Sequence, residues 1–370
     1  MTTSTPPANR LDAIAHARSC VMRDGAVQTL PWLAPEVLRS WRRCLEQGQR
    51  PAQSVIFDTV PKPRLTRTLE ANHLLIQAAQ PMLHNLARAI VNTRYFAILT
   101  NADGVVVDAC GAIDHTDPRA HLITQVGTDL SERSMGTTAI GMALSELQPV
   151  WLHRGEHFFD QTSVYSCAGA PLFGPDGACV GMLDVTGVDA QERPELKHLV
   201  MQSASKIENA LITALPHALM LRLNWPGNAL GSDADGMLCL DPEGWITGAN
   251  PVARQMVPGL AGPSQAPVHV SEVFGVPVEP LFDAAKRPAH PLELPLWSGL
   301  RLQAQAISQG DEAHTLQAGS SAAPARALRE VEAAMIRKAV DEARGNVGQA
   351  ARALGISRAT LYRKLGQKPA

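Results

Sequence analysis

The stretch that decides the fold at the C-terminal end is GNVGQAARALGISRATLYRKL, residues 345–365. Asn346 and Ser357 are good N-caps for two short helices, because their side chains accept hydrogen bonds from the free N–H groups of a first turn. Gly355 lies between these helices, where the chain must turn sharply and glycine adopts the left-handed conformation at little cost. Upstream, apolar residues recur at helical spacing over residues 328–340. The sequence therefore predicts three helices, the last two forming a helix-turn-helix.

The outward face of the third predicted helix carries basic and hydroxyl side chains. Guanidinium groups suit guanine edges and phosphates, hydroxyls suit phosphates, and a helix of this size fits the major groove of DNA. A solvated basic helix in an ordinary three-helix cap is the alternative, but the glycine, cap and core positions fall in register and favour DNA binding. Tyr362 is open between contact with the DNA backbone and packing between helices. The outward positions are Arg358, Thr360, Tyr362, Arg363 and Lys364.

This segment resembles the C-terminal domain of the Fis family of bacterial DNA-binding proteins. The matching residues are Gly345-Asn346, Ala350-Ala351, Leu354 to Ser357 and Arg358 to Leu365. In that family the third helix reads DNA and the long first helix helps to pair two subunits. The resemblance implies a homodimer whose recognition helices lie about one DNA turn apart, ~34 Å. It also implies DNA reading by Arg358, Thr360, Arg363 and Lys364, with Asn346 and Ser357 at cap or phosphate positions.

Charge is distributed unevenly along the 370 residues, which carry a formal charge of −2 in total. Residues 326–370 contain seven Arg and three Lys against three Glu and one Asp, a net charge of +6, which leaves −8 for the rest. This pattern indicates an acidic body with a basic, nucleic-acid-binding end. With 45% hydrophobic residues the body can bury real cores, so wholesale disorder is excluded.

The sequence also bears on where the protein works. The first ten residues are polar and lack the apolar core of a secretory signal, and no run of eighteen apolar residues predicts a membrane span. The cysteines are scattered, without C-x-x-C pairs or zinc-like spacing, and are expected to be reduced thiols of a cytoplasmic protein. They are Cys20, Cys44, Cys110, Cys167, Cys179 and Cys239.

The acidic body alternates helical and two-residue periodicity. Helices are predicted near residues 66–91, 136–147 and 192–215, and a strand at residues 149–153. In the helix predicted at residues 192–215, two series of mostly apolar residues recur at every seventh position. They indicate either a weak coiled-coil seam or, as we favour, a helix face that packs on a sheet. Three hairpins are predicted where strand-like runs flank tips that end in glycine, two in one domain and one in another. Their tips are residues 101–104, 174–177 and 241–244.

Residues from about 30 to 215 are similar to the N-terminal half of sigma-54-type activators of acetoin and glycerol catabolism. Matching stretches are Ser40 to Cys44, Gly127 to Glu132, Gly136 to Gly141, Pro149-Val150, Gly155 to Phe158, Ser166 to Ala168, Ala170-Pro171 and Asp176-Gly177. The resemblance implies a GAF domain, an antiparallel sheet flanked by helices that holds a small effector near Thr138, His157 and Cys167. Thr138 stands where that pattern has asparagine. More weakly, residues 225–308 resemble a PAS domain.

The expected architecture is α+β and multidomain. No G-x-x-x-x-G-K-[ST] phosphate loop occurs in the 370 residues, so we expect no ATPase motor of the usual kind, and we assign no cofactor. The predicted domains are an N-terminal helical segment at 1–65, a GAF-like sensor at 66–215, a PAS-like domain at 225–308, a flexible linker at 309–327 and a three-helix Fis-type domain at 328–370.

Two enzymatic alternatives come from short motifs. His153 to His157 matches H-x-x-E-H, a zinc motif of inverted metalloproteases, but glycine at position 155 and a preceding strand argue against the single helix face that this chemistry needs. Cys167 could act as a redox thiol, as in GAF-type methionine sulfoxide reductases, if Cys110 or Cys179 lay close enough to resolve it. A buried, inert strand cysteine is the interpretation we favour.

The sequence thus favours a regulator of transcription rather than an enzyme. We expect a homodimer that binds double-stranded DNA and a small effector, with RNA polymerase or a full-length activator as further partners and no membrane association. A signalling adaptor that pairs with a full-length sigma-54 activator is the alternative from another class.

Overall fold

The structure is a computed structural model that describes residues 9–24, 33–260, 266–287 and 290–308. These residues form two antiparallel sheets with helices on their faces, which confirms the predicted α+β class. The predicted linker at 309–327 and the predicted helix-turn-helix at 328–370 lie outside the described residues. The domain boundaries proposed from the sequence stay predictions.

The first sheet has five strands in the order β2-β1-β5-β4-β3. Its long central strands are apolar on both sides, because helices cover both faces of the sheet. Residues of β5 therefore alternate between two cores: Leu183 and Val185 belong to one, and Met182 belongs to the other. The strands are β1 (Tyr95–Asn101), β2 (Val106–Gly111), β3 (Val150–His153), β4 (Tyr165–Phe173) and β5 (Cys179–Val188).

Eight helices among the described residues accompany this sheet. One face is covered by the long helices α4 and α8, and the other by shorter helices, including α1, α2, α5 and α7. The helices are α1 (Arg10–Asp24), α2 (Pro35–Glu46), α3 (Lys62–Ala71), α4 (His73–Ile90), α5 (Pro118–Thr124), α6 (Glu132–Met135), α7 (Ala139–Glu146) and α8 (Leu196–Thr213).

Two helix predictions are refined by the structure. The single helix predicted near residues 66–91 is two helices, α3 and α4, which meet at Asn72, and the side chain of Asn72 donates to the carbonyl of Thr68 at 2.8 Å. The apolar series of α8 packs on β4 and α4, with Leu196, Val200 and Ile207 buried. Packing on the sheet, the favoured alternative for this helix, is therefore what the structure shows.

The second sheet has the strand order β8-β7-β6-β10-β9 and a separate core. Its strands are β6 (Leu219–Asn224), β7 (Gly236–Leu240), β8 (Ile246–Ala249), β9 (Leu292–Pro295) and β10 (Arg301–Ser308). Three helices cover one of its faces: α9 (Pro251–Met256), α10 (Val270–Val273) and α11 (Glu279–Ala285). The three predicted hairpins are confirmed as β1–β2, β4–β5 and β7–β8, and the glycine that ends each tip has a positive φ, as at Gly104 with φ 80°.

No helix within the described ranges is both long and apolar enough to cross a bilayer.

Candidate functional site

A small cavity of about 30 Å³ lies against the central strands of the first sheet, beneath α5, α6 and α7. Most of its wall is apolar, so the cavity suits the apolar part of a small molecule. The apolar lining residues are Ile98, Ile123, Leu130, Met135, Ala139 and Ile140.

A row of four hydrogen-bonded side chains forms the polar part of this wall. Thr186 is hydrogen-bonded to Asp184 on the same strand and to the sulfur of Cys167 on β4, with Oγ1–Sγ at 3.2 Å. The row continues from Cys167 to His157, whose Nε2 lies 3.4 Å from Sγ. We call Asp184, Thr186, Cys167 and His157 the polar row.

The elements that place the polar row explain its geometry. In the register of the sheet Cys167 lies directly opposite Thr186, and Asp184 precedes Thr186 by two residues, so all three face the same side. His157 follows the short 3-10 turn Arg154–Glu156, and its Nδ1–H donates to the Arg154 carbonyl at 3.0 Å.

Burial sets the protonation of these groups. It raises the pKa of Asp184 to about 7, lowers the pKa of His157 to about 4, and raises the pKa of the Cys167 thiol well above its ordinary value. His157 is therefore neutral at neutral pH, and because Nδ1 carries its proton, Nε2 is an acceptor for the thiol S–H. Cys167 in turn accepts from the Thr186 hydroxyl.

The Thr186 hydroxyl has one proton and two acceptors within reach, the sulfur of Cys167 and Oδ2 of Asp184. Below the Asp184 pKa of about 7 the carboxyl group carries a proton of its own, so Oδ2 can donate to Thr186 while Thr186 donates to sulfur. In that state Asp184, Thr186 and Cys167 each donate one hydrogen bond along the row toward His157. The other oxygen of Asp184, Oδ1, is buried and has no hydrogen-bond partner among the described residues.

The structure brings the three predicted effector residues together. Thr138, His157 and Cys167 all line the cavity. Thr138 is the N-cap of α7 and accepts a hydrogen bond from the Gly141 N–H at 3.0 Å, so it performs the capping role that an asparagine would perform there. An effector-binding role for these residues stays a prediction.

Sequence reasoning missed Asp184 and Thr186. A signal was present, because VGMLDVTGV places one carboxylate in an otherwise apolar strand. A carboxyl group in such a strand must be neutral, paired or functional. Which residues it meets depends on the pairing of β5 with β4, and no local pattern contains that information.

The turn that carries His157 is held from outside by α1 and α2. Arg18 of α1 donates to the carbonyls of His157 and Phe158 at 2.6 and 2.5 Å, and the Trp41 indole N–H of α2 donates to the Glu156 carbonyl at 2.8 Å. The Glu156 carboxylate accepts from Arg10 and, at 2.6 Å, from the backbone N–H of His153.

This geometry argues against the metalloprotease hypothesis. The pentapeptide runs from the end of β3 into a 3-10 turn, so the two histidines do not share one helix face, and the would-be catalytic base Glu156 is engaged by Arg10. Within the described ranges, no group of three or more His, Cys, Asp or Glu side chains is arranged to hold a metal ion.

The geometry likewise argues against a Cys167 redox pair. Cys110 lies on β2, three strands away from β4, which is about 14 Å at ordinary strand spacing, and it packs on the other face of the sheet. Cys179 pairs with Phe173, six residues along β4 from Cys167, or about 20 Å. Both distances are too long for a disulfide, and the Cys167 thiol is buried and protonated.

A second buried polar cluster ties α2 to α6. The Ser40 hydroxyl donates to Glu132 and bonds Thr137, each at 2.7 Å, and Arg43 contacts Glu132 and Glu146 at 2.6 and 2.7 Å. The cluster joins three of the motifs singled out in the sequence, from Ser40 to Cys44, from Gly127 to Glu132 and from Gly136 to Gly141. These motifs therefore have a structural role, which is to fix α2 to the helices that cover the cavity.

The predicted DNA-contacting residues lie outside the described residues. They are Asn346, Ser357, Arg358, Thr360, Tyr362, Arg363 and Lys364. Their assignment therefore rests on the sequence and on comparison with known proteins.

Comparison with protein families gives two matches. Residues 10–209 match the family described as MimR, N-terminal domain, and residues 327–367 match Bacterial regulatory protein, Fis family. The first match spans the first sheet with its helices, and the second spans the predicted helix-turn-helix. The Fis match supports DNA binding by this end of the chain.

Two of the similar proteins are named as regulators of transcription. The acetoin catabolism regulatory protein of Cupriavidus necator is 31% identical over 286 residues, covering 75% of this chain and 40% of that protein. The propane 2-monooxygenase operon transcriptional activator MimR of Mycolicibacterium goodii is 30% identical over 246 residues, covering 63% and 40%. This chain thus spans about two fifths of the length of these relatives.

Among solved structures, the E. coli DhaR(N)–DhaL complex contains a chain that aligns with a TM-score of 0.46 and 14% identity, over 74% of this chain and 99% of that one. The MimR match is the more extensive family finding, because it covers more than half of the 370 residues. The chain therefore belongs to the family described as MimR, N-terminal domain.

Proposed function

We propose that this protein is an effector-responsive transcriptional regulator that binds double-stranded DNA through residues 328–370. The observation that carries the proposal is that a Fis-family match follows, in the same chain, a domain with a buried, neutral, partly polar cavity. The cavity is the place we propose for a small effector. The protein would act as a homodimer in the cytoplasm.

The finer domain assignments belong to this proposal. We interpret the first sheet as a GAF-type sensor, supported by its strand order β2-β1-β5-β4-β3 and by the helices α4 and α8 on one face. The second sheet, with α9 to α11 on one face, is interpreted as PAS-like. No phosphate loop occurs in these 370 residues, and we propose that they regulate without an ATPase motor of their own.

An effector can change DNA binding only if it binds two arrangements of the protein with unequal affinity. The described residues offer a physical route for such a difference. Strand β4 carries Cys167 toward the cavity and packs its opposite face, at Ala168 and Ala170, into the core shared with α8. A ligand that displaces β4 would therefore move α8, which leads directly into β6 of the second sheet.

DNA binding is tested by removing the basic groups of the predicted recognition helix. The double variant Arg363→Ala with Lys364→Ala should lose operator binding by at least tenfold, because it removes guanidinium and ammonium contacts to bases and phosphates. The measurement is a gel shift on the DNA upstream of the gene, at several stated salt concentrations, since phosphate contacts weaken with salt.

Arg50→Ala with Lys62→Ala is the matched control, because it likewise removes one arginine and one lysine, but from outside the predicted DNA-binding residues 328–370. Equal operator affinity in the test variant and the parent protein would contradict the assignment. It would favour an adaptor that acts through protein contacts.

A further inference from the structure

Several hydrogen-bond donors in the cavity lining are already bonded to backbone carbonyls of the protein. Thr162 donates its hydroxyl proton to the Phe159 carbonyl at 3.0 Å, Tyr165 donates to the Arg119 carbonyl at 3.0 Å, and His157 Nδ1–H donates to a backbone carbonyl. The polar row uses the remaining protons of Thr186 and Cys167 internally. Thr138 is the remaining hydroxyl of the lining: its oxygen accepts from the Gly141 N–H at 3.0 Å, so its proton is the one donor left for a ligand that only accepts.

One acceptor in the lining, in contrast, has no hydrogen-bond partner among the described residues. Asp184 is completely buried, it lines the cavity, and its Oδ1 has no partner among the described residues. Native proteins leave few buried acceptors unsatisfied, and each one implies a role or a bound molecule. A donor group on a ligand in the cavity would complete the hydrogen bonding of Asp184.

The surroundings also select the charge of that ligand. Asp184 is the one Asp, Glu, Lys or Arg side chain that lines the cavity among the described residues, and burial keeps it neutral below its pKa of about 7. The rest of the wall is mostly apolar, so an ion would lose its hydration without a full counter-charge. The cavity volume of about 30 Å³ limits the ligand to a few heavy atoms.

We propose that this cavity selects a small, uncharged molecule that donates a hydroxyl or N–H proton to Oδ1 of Asp184. The inference deepens the proposed function, on which it rests, by naming the chemical class of the effector and the residue that recognises it. The carboxyl group acts as a neutral acid, giving its own proton to Thr186 through Oδ2 and accepting the ligand's proton through Oδ1.

Three probes of nearly equal size separate the possibilities. Ethanol and dimethyl ether are isomers, of which the first alone can donate a hydrogen bond, and ethylammonium is the cation of the same shape. Full-length protein labelled with ¹³C at its methionine methyl groups is titrated with each probe at about pH 5.5, where both Asp184 and His157 are neutral. Met135 lines the cavity and is the reporter, while Met220 in the second sheet is the reference.

Ethanol should shift the Met135 methyl resonance in a saturable manner without shifting that of Met220. Dimethyl ether and ethylammonium should bind at least tenfold more weakly, because a site built to bond a hydroxyl discriminates against analogues that lack it. Equal binding of dimethyl ether, tighter binding of ethylammonium, or no ethanol response at Met135 would each overturn the proposal. The last result would mean that the cavity holds water alone.

Variants of Asp184 test the same point independently. Asp184→Asn should keep ethanol binding within about threefold, because an amide can donate to Thr186 and accept from the ligand as the neutral acid does. Asp184→Leu should lose at least tenfold in affinity. Glu208→Gln is the matched control, since Glu208 is another buried carboxyl group, bonded to the Phe173 N–H, and should leave ethanol binding unchanged.

Loss of ethanol binding in Asp184→Asn would indicate an ionised carboxylate and would overturn the inference. If Asp184→Leu does not fold, Asp184→Asn and the comparison of ethanol with dimethyl ether still test whether the ligand donates a proton to a neutral Asp184. The same samples separate this inference from the proposed function. Ethanol binding with the expected Asp184 pattern, but no change in the gel shift at saturation, would contradict the effector role and leave the selectivity of the cavity intact.

Discussion

Between about pH 4 and pH 7 each ionisable side chain of the polar row is neutral, and burial is the main cause in each case. An isolated charge inside the sheet would lose its hydration, so Asp184 keeps its proton, His157 releases one and Cys167 remains a thiol. Neutrality makes the order of hydrogen bonds possible, because each member has one proton to donate and one position to accept. The hydrogen bonding in the cavity wall therefore follows from which side chains of the polar row carry a proton.

The raised pKa of Asp184 predicts how stability depends on pH. The folded protein holds this proton up to about pH 7, whereas the unfolded chain releases it near its ordinary value of 3.8. Between these values the folded state binds more protons, so the free energy of unfolding falls as pH rises, by up to ~1.4 kcal/mol per pH unit, and levels off above pH 7.

Asp184→Asn should remove this one-proton contribution, so that its stability relative to the parent protein increases from pH 4 to pH 7. Urea unfolding at several pH values measures the difference. Glu208, whose pKa burial also raises to about 7, gives a second, independent one-proton contribution that Glu208→Gln should remove. An unchanged pH slope in Asp184→Asn would show that Asp184 is ionised in the folded protein.

At the scale of single elements, α1 is attached through the buried Ile14, Ala17 and Val21 and through directed hydrogen bonds, of which Arg18 makes several. The Arg18 guanidinium reaches three backbone carbonyls of the segment from Gly155 to Phe158 and the carboxylate of Asp160, at 2.5 to 3.3 Å. This segment carries His157, so α1 closes the turn that completes the cavity wall. The apolar residues of α1 are only weakly concentrated on one side of the helix. Charge-assisted hydrogen bonds therefore add to the attachment that apolar packing provides.

Arg18→Ala should therefore destabilise the first domain by about 1–3 kcal/mol, since it removes charge-assisted hydrogen bonds and leaves carbonyls without a partner. Chemical denaturation measures the loss, and hydrogen exchange should accelerate at residues 155–160. Arg301→Ala is the matched control, because its ion pair with Glu293 is exposed on both sides and should contribute little. Equal effects of the two variants would rule out a special role for Arg18.

At the scale of the whole described region, the two sheets are joined at the tip of the β4–β5 hairpin. The Pro175 carbonyl accepts from Arg254 at 2.7 Å and from the Ala249 N–H at 2.9 Å. The strand that presents Cys167 to the cavity thus ends in a turn that is bonded to the second sheet. This contact gives a second physical route by which a change at the cavity could reach the second sheet.

Arg254→Ala should weaken this contact and leave the cavity intact. We expect faster hydrogen exchange at residues 175–177 and 249–250, unchanged exchange in α7, and a smaller effect of any effector on operator affinity. Arg88→Ala, whose side chain bonds the exposed Asn85, is the control. Accelerated exchange throughout α7 would show instead that Arg254 supports the first domain as a whole.

The sequence by itself determined the features that depend on local chemistry. Turn glycines with positive φ predicted the three hairpins, and the change of hydrophobic period predicted the α+β class. The DNA contacts of the C-terminal end were predicted from local pattern and resemblance and the homodimer from resemblance, and both stay predictions. Thr138, His157 and Cys167 were singled out through motifs, and the structure places all three on one cavity wall.

Only the tertiary structure decided what those residues touch. Asp184 and Thr186 meet Cys167 because β5 pairs with β4 in one register, and a shift of one residue would turn all of these side chains to the opposite core. Likewise Arg18 meets the turn at His157 across about 140 residues of sequence. Local propensity acts over a few residues, whereas strand register and helix docking minimise the free energy of the whole core, and they assemble the site.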